Sequence, residues 1–414
     1  MTLNLGRRTL IGTGIGTGLA AAALPRRALA QQKPIRIGVL TDMAGAYAAN
    51  TGKGSVVAAQ LAIDDFMAMH KGIKVELVQA DLQLKPDVAL AIASGWYDND
   101  GVDLITDVPL SSAAFAIGDV AKAKDKAAIF TGGASAEITG GHCGPNHLHW
   151  CYDTWSMPHG VVAATVKEGG DSWFFITADY AFGHSLQKDA ASFVTGAGGK
   201  VLGQALAPFP GTTDFSSHIV QAKASGAKVL GLANGGADTV NCIKQAAEFG
   251  LMQGGMKVAG MLVLTHDIHG MGLQAAQGVL LTEPFYWDMN DGTRSFGHRY
   301  MKLYPGDMPG SVHAGQYSAI MHYLKAVAVV GPEKAKASGR VVIDQMKAMP
   351  TEDPLFGKGL IRKDGRKIHD MHLFEVKSPA QSKQPWDYYI HKRVVPAAEA
   401  FRPMDQGKCP LVTA

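Results

Sequence analysis

From Pro34 onward the chain alternates short apolar runs with helical repeats, stops, and then begins the same alternation again. Few folds accommodate that pattern. Residues 35–40 have the length and apolar content of a buried strand. Val56, Ala59, Ile63, Phe66 and Met67 then recur at helical spacing. Residues 75–78 read as a second strand, and Pro86 opens the next helix in its first turn. Leu104 and Ile105 mark a third strand, Ser111 and Ser112 open a helix, and 127–130 form a fourth strand. Such alternation predicts a mostly parallel sheet with helices on both faces.

Residues 131–159 break the rhythm with Gly, His, Pro and aromatics in no clean period. The alternation resumes with strands at 173–176, 201–206, 229–232 and 258–259. Helices are expected at 182–194 and from Asp214 and Asp238, where Val240, Ile243 and Ala247 mark a buried face. After Thr282 come helices near 294–304, 313–330 and 339–349, then short strands at 360–361 and 369–376. The last forty residues are Pro-rich and read as irregular. No low-complexity linker separates the two units, so the chain is expected to cross between them several times. The expected division is 34–153 with 286–350 as one lobe, and 154–285 with 351–414, tail included, as the other. Such crossings act as hinges.

The N-terminus carries a separate signal. Arg7 and Arg8 precede an uncharged, Gly- and Ala-rich run of about 16 residues that ends at Pro25, Arg26, Arg27 and Ala28-Leu29-Ala30. A positive end, a short apolar run and a small-x-small site describe a cleavable export leader over 1–30. The run falls short of the roughly 20 residues needed to span a bilayer. Paired arginines point to the twin-arginine route, although Gly6 stands where Ser or Thr is usual. The expected location is the periplasm, after cleavage near Ala30. The leader also accounts for the basicity. The chain has 39 Lys+Arg against 36 Asp+Glu, and four of the arginines lie in 1–30 with no acid. The remainder is near neutral, so neither nucleic acid nor a membrane surface is an expected partner.

Outside the cytoplasm cysteines can pair. Cys143, Cys151, Cys242 and Cys409 allow three full pairings, and sequence does not choose among them. Cys143-Gly144-Pro145 and Lys408-Cys409-Pro410 are loop-like settings where a bridge is readily placed, and one there would tie down the C-terminal tail.

Catalytic signatures are weak. Gly12-Thr13-Gly14-Ile15-Gly16 follows no strand, so its likeness to a nucleotide loop carries nothing. Gly183-His184-Ser185 lacks the second Gly of a nucleophile elbow. His142, Cys143, His147 and His149 crowd one segment, and His266 and His269 another, but neither spacing matches a well-defined metal pattern. The expectation is a non-enzyme with no cofactor and no metal. The rival class is an exported cofactor or metal enzyme, which stoichiometric metal in purified protein would reveal.

In doubly wound sheets, ligands sit beyond the carboxyl ends of the strands. The candidates there are Thr41, Asp42 and Tyr47 after the first strand, Ser111 and Ser112 after the third, and Ala134 and Ser135 after the fourth. In the second unit they are Tyr180 and Phe182, then Asn234. Helix starts at these points offer free N–H groups and partial positive charge, which suits a carboxylate without an arginine. Their plainer role is as ordinary N-caps. Tyr152 and Tyr286 lie at the presumed crossings, where aromatics either line a cleft or pack the lobes together.

Several of these segments, in this order, carry a resemblance: 37–42, Ser111-Ser112, Gly133-Ala134-Ser135 with Glu137-Ile138-Thr139, Asp179-Tyr180-Ala181-Phe182-Gly183, Thr213-Asp214-Phe215-Ser216, and 244–250. The chain resembles the leucine/isoleucine/valine-type solute-binding proteins of ABC transporters over nearly all of its length beyond the leader. The resemblance implies the α/β fold of a type I periplasmic binding protein, with two doubly wound lobes joined by three hinge crossings. It implies a monomer that serves an inner-membrane permease and ATPase. It places a ligand carboxylate at Ser111 or Ser112 and at Ala134 and Ser135, with aromatic contacts from Tyr180 or Phe182. An acid that holds an ammonium in the amino-acid binders would correspond to Asp267, beside His266. The loop around Asn234 lacks the tyrosines common in those binders. The segment 150–155 and the tail 382–389 are similar to a subgroup associated with aromatic and other plant-derived acids. The expected ligand is therefore a small carboxylate, aromatic before branched-chain amino acid.

Overall fold

The computed structural model describes residues 33–413, so the leader expected over 1–30 lies outside the described residues. The chain opens with β1 (Ile35–Thr41), α1 (Gly52–Met69), β2 (Val75–Asp81), α2 (Pro86–Asp98), β3 (Leu104–Asp107), α3 (Ser111–Ala123) and β4 (Ala127–Phe130). A 3-10 turn (Ala136–Thr139) and β5 (His147–His149) follow inside the stretch that read as irregular. These five strands form one parallel sheet in the order β2-β1-β3-β4-β5. Ile35, Ile37 and Val39 are fully buried, as are all four residues of β4. Strands covered on both faces read as continuous apolar runs, which is how they appear in the sequence.

After α4 (Pro158–Lys167) the second sheet begins: β6 (Ser172–Ala178), α5 (Ala181–Gly196), β7 (Lys200–Ala207), α6 (Ser216–Ala224), β8 (Val229–Ala233), α7 (Ala237–Glu248) and β9 (Lys257–Gly260). Its order is β7-β6-β8-β9, again parallel. The chain therefore has two α/β lobes, each on its own parallel sheet.

The remainder stitches the lobes together. It comprises α8 (Thr265–Met271), α9 (Leu273–Ala276), β10 (Leu280–Glu283), α10 (Asp291–Leu303), α11 (Ser311–Val330), α12 (Pro332–Ala337), α13 (Gly339–Ala348), β11 (Thr351–Asp353), β12 (Gly357–Ile361), β13 (Lys367–Ile368), β14 (Met371–Val376) and β15 (Tyr389–Val395). Helix α11 packs along α1 and returns this segment to the first lobe. Strands β10, β14 and β15 form a small antiparallel sheet, with β10 against α4 of the second lobe. The tail is thus more regular than expected. β15 escaped the sequence reading because most of its residues face solvent and give no apolar run.

Two cations lie inside this stitching. Arg366 and Lys367 are fully buried. The Arg366 guanidinium stands 4.5 Å from the Phe401 ring, donates to Tyr152 O at 2.9 Å and lies 3.6 Å from Asp153. Lys367 Nζ lies 4.2 Å from the Phe356 ring, and burial brings its pKa down to about 8. Buried charge is tolerated only when paired or well solvated by the protein. This segment also joins the rim of the first sheet, where His149 N donates to Gly365 O at 3.0 Å.

The bridge at Cys143 and Cys409 is present, while Cys151 and Cys242 are free and buried. Arg402 reinforces the same tether, donating to Glu137 Oε1 at 3.0 Å and to Ala136 O at 2.9 Å. Closing a loop of this length restricts the unfolded chain and stabilises typical proteins by about 2–4 kcal/mol. Urea denaturation with and without reductant checks this. The reduced protein should lose stability on that scale, and an unchanged midpoint would show that Arg402 alone holds the tail.

Candidate functional site

The carboxyl ends of the two sheets face each other across a cleft. The loop after β1 supplies Tyr47, Asn50 and Thr51; the loops after β3 and β4 supply Pro109, Gly132 and Ala134. Tyr152 enters from the first crossing. The second lobe contributes Tyr180 and Phe182 after β6, Gly236 after β8, and Leu262 and Leu264 after β9. They enclose about 340 Å³ of empty space, the mouth included. None of these twelve side chains is charged.

The lobes are closed on each other. The Tyr47 and Tyr180 hydroxyls are 2.5 Å apart across the cleft, and Phe209 stacks on both rings at centroid distances of 5.4 and 4.5 Å. Ala237 N donates to Ala46 O at 2.9 Å, a direct backbone bond between lobes. It is possible because Gly236 sits at φ +60, and a Cβ there would lie 2.2 Å from Ala46 O. Asn50 Nδ2 donates to Asp267 Oδ1 at 2.8 Å. The Ser135 and Ser185 hydroxyls meet at 2.6 Å, and Thr154 donates to Asp189 at 2.6 Å.

The local sequence explains how each loop is held. Asp42 accepts from Gly45 N at 2.7 Å and Tyr47 N at 2.8 Å, folding the loop that presents Tyr47. His149 Nε2–H donates to Gly133 O at 2.7 Å from beneath the loop that carries Ala134. Burial lowers the His149 pKa well below its ordinary value, so the ring is neutral. Ser135 N donates to Ser111 Oγ at 3.1 Å, which locks the β3 and β4 loops together. Ser135 is also the N-cap of the 3-10 turn, accepting from Glu137 N, whereas Leu110 rather than Ser111 occupies the α3 cap. Helix α3 has no side-chain cap, so its first-turn N–H groups stay available beside Pro109. Helices α3, α5 and α7 all begin at the cleft, adding partial positive charge beside a lining that carries no charged side chain.

Tyr47, Ala134, Tyr152, Tyr180 and Phe182 are therefore brought together, with Ser111 and Ser135 adjoining them. Ser112 is half-buried and does not line the cleft. Asn234 shapes the turn before α7, accepting from Thr239 Oγ1 at 2.7 Å and donating to Cys242 Sγ at 3.3 Å. Asp267 faces Asn50 and its own helix, accepting from Leu264 N at 2.9 Å. Burial raises its pKa to about 6, with those two bonds drawing it back. His266 turns to Asp307 at 3.0 Å, in a neighbouring cavity with His269 and Trp386. Tyr286 donates to Trp386 O at 2.6 Å and lies away from the cleft. Of the other lining residues, Pro109, Gly132 and Gly236 lie in strand-end loops where a ligand was expected, though none was singled out as a contact. Asn50 and Thr51 sit in a turn-rich stretch without a distinguishing signal, and Leu262 and Leu264 look like core in a sequence.

Among the described residues no group of three or more His, Cys, Asp or Glu is arranged to hold a metal, and no helix is long and apolar enough to cross a membrane. In the His142–His149 segment, His142 stacks on Phe115 at 3.9 Å, His147 Nε2 bonds Ile138 O at 3.1 Å, and Cys143 is in the disulfide.

Residues 34–383 match the family described as periplasmic binding protein. A periplasmic binding protein of Burkholderia mallei is 41% identical, with a TM-score of 0.86 over 91% of this chain and 99% of that one. A protein of Burkholderia xenovorans, described as a branched chain amino acid ABC transporter periplasmic ligand-binding protein, is 39% identical, with a TM-score of 0.78 over the same shares. A solute binding protein of Rhodopseudomonas palustris in complex with 3,4-dihydroxy benzoic acid shares the fold at 22% identity and a TM-score of 0.74, over 88% of this chain and 98% of that one. A comparison with curated proteins found no match. The chain belongs to the periplasmic binding protein family and is a non-catalytic, two-lobed binding protein of the periplasm.

Proposed function

We propose that the chain captures a small monocarboxylate with a flat aromatic body and passes it, as a monomer, to the permease and ATPase of an ABC uptake system. The lobes would divide as 34–153 with 286–350 and 154–285 with 351–414. The His149–Arg366 bridge argues for grouping residues near 366 with the first lobe instead.

The observation that carries this reading is the cleft lining. Aromatic and aliphatic side chains surround a space entered by several helix N-termini and by no charged side chain. The α3 first-turn N–H groups, with Ser111 adjoining them, and the loop at Ala134 and Ser135 suit a carboxylate. Tyr47, Tyr180 and Phe182 suit a ring, since stacked and edge-on aromatic pairs add to simple burial. An ammonium in the same field needs an acid, and both oxygens of Asp267 are already engaged.

A second reading, a branched-chain amino acid, is favoured by the 39% identical relative. Its ammonium partner would be Asp238 in the first turn of α7, a nearly buried acid whose pKa burial raises to about 7. Thermal-shift screening separates the two readings. Ligand at 100 times its dissociation constant stabilises by about 2.7 kcal/mol. We expect 4-hydroxybenzoate or benzoate to stabilise and leucine and valine not to, with Asp238→Asn leaving the aromatic acid bound. Stabilisation by leucine or valine that Asp238→Asn abolishes would establish the second reading.

Closure is the second testable element. Gly236→Ala places a Cβ against Ala46 O and removes room for the Ala237–Ala46 bond. Apparent affinity scales with the fraction of molecules able to close. Beyond the stability cost of an alanine at φ +60, the variant, titrated well below its own thermal midpoint, should bind its ligand at least about tenfold more weakly. Unchanged affinity in a calorimetric titration would remove this contact from the closing mechanism.

A further inference from the structure

A carboxyl group lies directly behind the first-lobe wall of the cleft. Asp107 ends β3 and is fully buried. Its backbone and that of Val108 have φ of +78 and +51, the left-handed region that a β-branched residue resists. Strain of this kind persists where the surroundings impose it, often at functional sites. Here it turns the chain into Pro109, which lines the cleft. From the other side Gly132 also lines the cleft, and a Cβ at Gly132 would lie 2.6 Å from Asp107 Oδ1. The carboxyl therefore packs directly against Gly132, a residue of the cleft wall.

The carboxyl's hydroxyl neighbours are loosely placed: Thr131 Oγ1, which also lies 2.9 Å from Gln316 Oε1, is 3.3 Å from Oδ1, and Oδ2 has no well-formed hydrogen bond among the described residues, with Thr41 and Ser55 nearby. Facing it are Thr41 and Asp42 from the end of β1, Ser55 of α1, Thr131 after β4, and Cys151 and Tyr152 of the first crossing. Gln316 of α11 binds Thr131 alongside, and Arg366 and Lys367 act on Cys151. Asp42 adds like charge.

We propose that Asp107 is a specificity residue that takes up a proton when a carboxylate enters the cleft, so the protein captures a monoanion together with one proton and disfavours a dianion. This rests on the carboxylate part of the reading above. The step balances simply: an ionised Asp107, one solvent proton and a ligand carboxylate become a neutral Asp107 beside a bound carboxylate. Burial already raises the Asp107 pKa to about 6, with the Thr41, Ser55 and Thr131 hydroxyls drawing it down. A second negative charge across Gly132 raises it further, as like charges do in shared sites. The Asp107 side chain need not touch the ligand, so its role is read in proton counts rather than contacts.

The sign follows from linkage. Between the ligand-free pKa near 6 and the higher ligand-bound value, the complex holds more protons than the free protein. Affinity therefore falls with rising pH in that window, by up to about tenfold per unit. The test is calorimetric titration of the protein with benzoate and, separately, with leucine, both of which carry a carboxylate. Phosphate and Tris buffers at neutral pH give the proton count, and titrations at three pH values from 6 to 8 give the slope. We expect uptake approaching one proton per ligand and a falling affinity. Asp107→Asn should abolish both and bind more tightly than the parent at the highest pH. Binding without proton uptake in the parent, or uptake that survives in Asp107→Asn, overturns this inference and leaves the carboxylate reading intact. If neither probe binds, both fall together.

Discussion

Both main sheets are parallel and covered on both faces, so the carboxyl ends of their strands are where loops and helix starts can meet a ligand. Setting two such sheets end to end brings the starts of α3, α5 and α7 to one cleft. Each start leaves backbone N–H groups without helical partners. The cleft therefore has a built-in preference for negative charge before any side chain is considered. Its lining adds aromatic rings and methyl groups, and no cation. Binding an anion with backbone dipoles avoids burying a lysine or arginine at the point where the lobes must open and close.

The charges that the protein does bury are kept in the stitching between lobes. Arg366 and Lys367 lie against Phe401, Phe356 and Trp150, in contact with Tyr152 O and near Asp153. Glu283, at the end of β10, receives the hydroxyls of Thr265, Ser311 and Tyr389. Burial raises its pKa to about 8, against the pull of those donors. These groups join segments distant in sequence, while the disulfide at Cys143 and Arg402 on Ala136 and Glu137 fix the tail beside the turn capped by Ser135. Rigid parts thus hold the rim of the cleft, while Tyr47, Tyr180 and Gly236 make the contacts that closure forms.

Much of this was legible in the sequence because parallel strands and amphipathic helices leave strong local periods. Residues 127–130 and the helix opening at Ser111 were found where they lie. Tyr180 and Phe182 stood out through position after a strand and through a recognisable motif. β5 was missed because it is three residues long and two of them are His. Asp267 and His266 read as ligand contacts, since sequence cannot show that Asn50 and Asp307 have claimed them. Asp107 gave no signal at all. An acid at the end of a strand is ordinary, and the groups around it, Thr41, Ser55 and Thr131, come from other segments of the chain.

The central claim is that backbone N–H groups and hydroxyls of the first lobe, and no side-chain cation, hold a ligand carboxylate. A crystal structure of the protein grown with 4-hydroxybenzoate tests this most directly. The account predicts the carboxylate within hydrogen-bond distance of the α3 first turn and the loop at Ala134 and Ser135, with the ring among Tyr47, Tyr180 and Phe182. A carboxylate seated on a lysine or arginine, or a ligand bound outside the cleft, would contradict it.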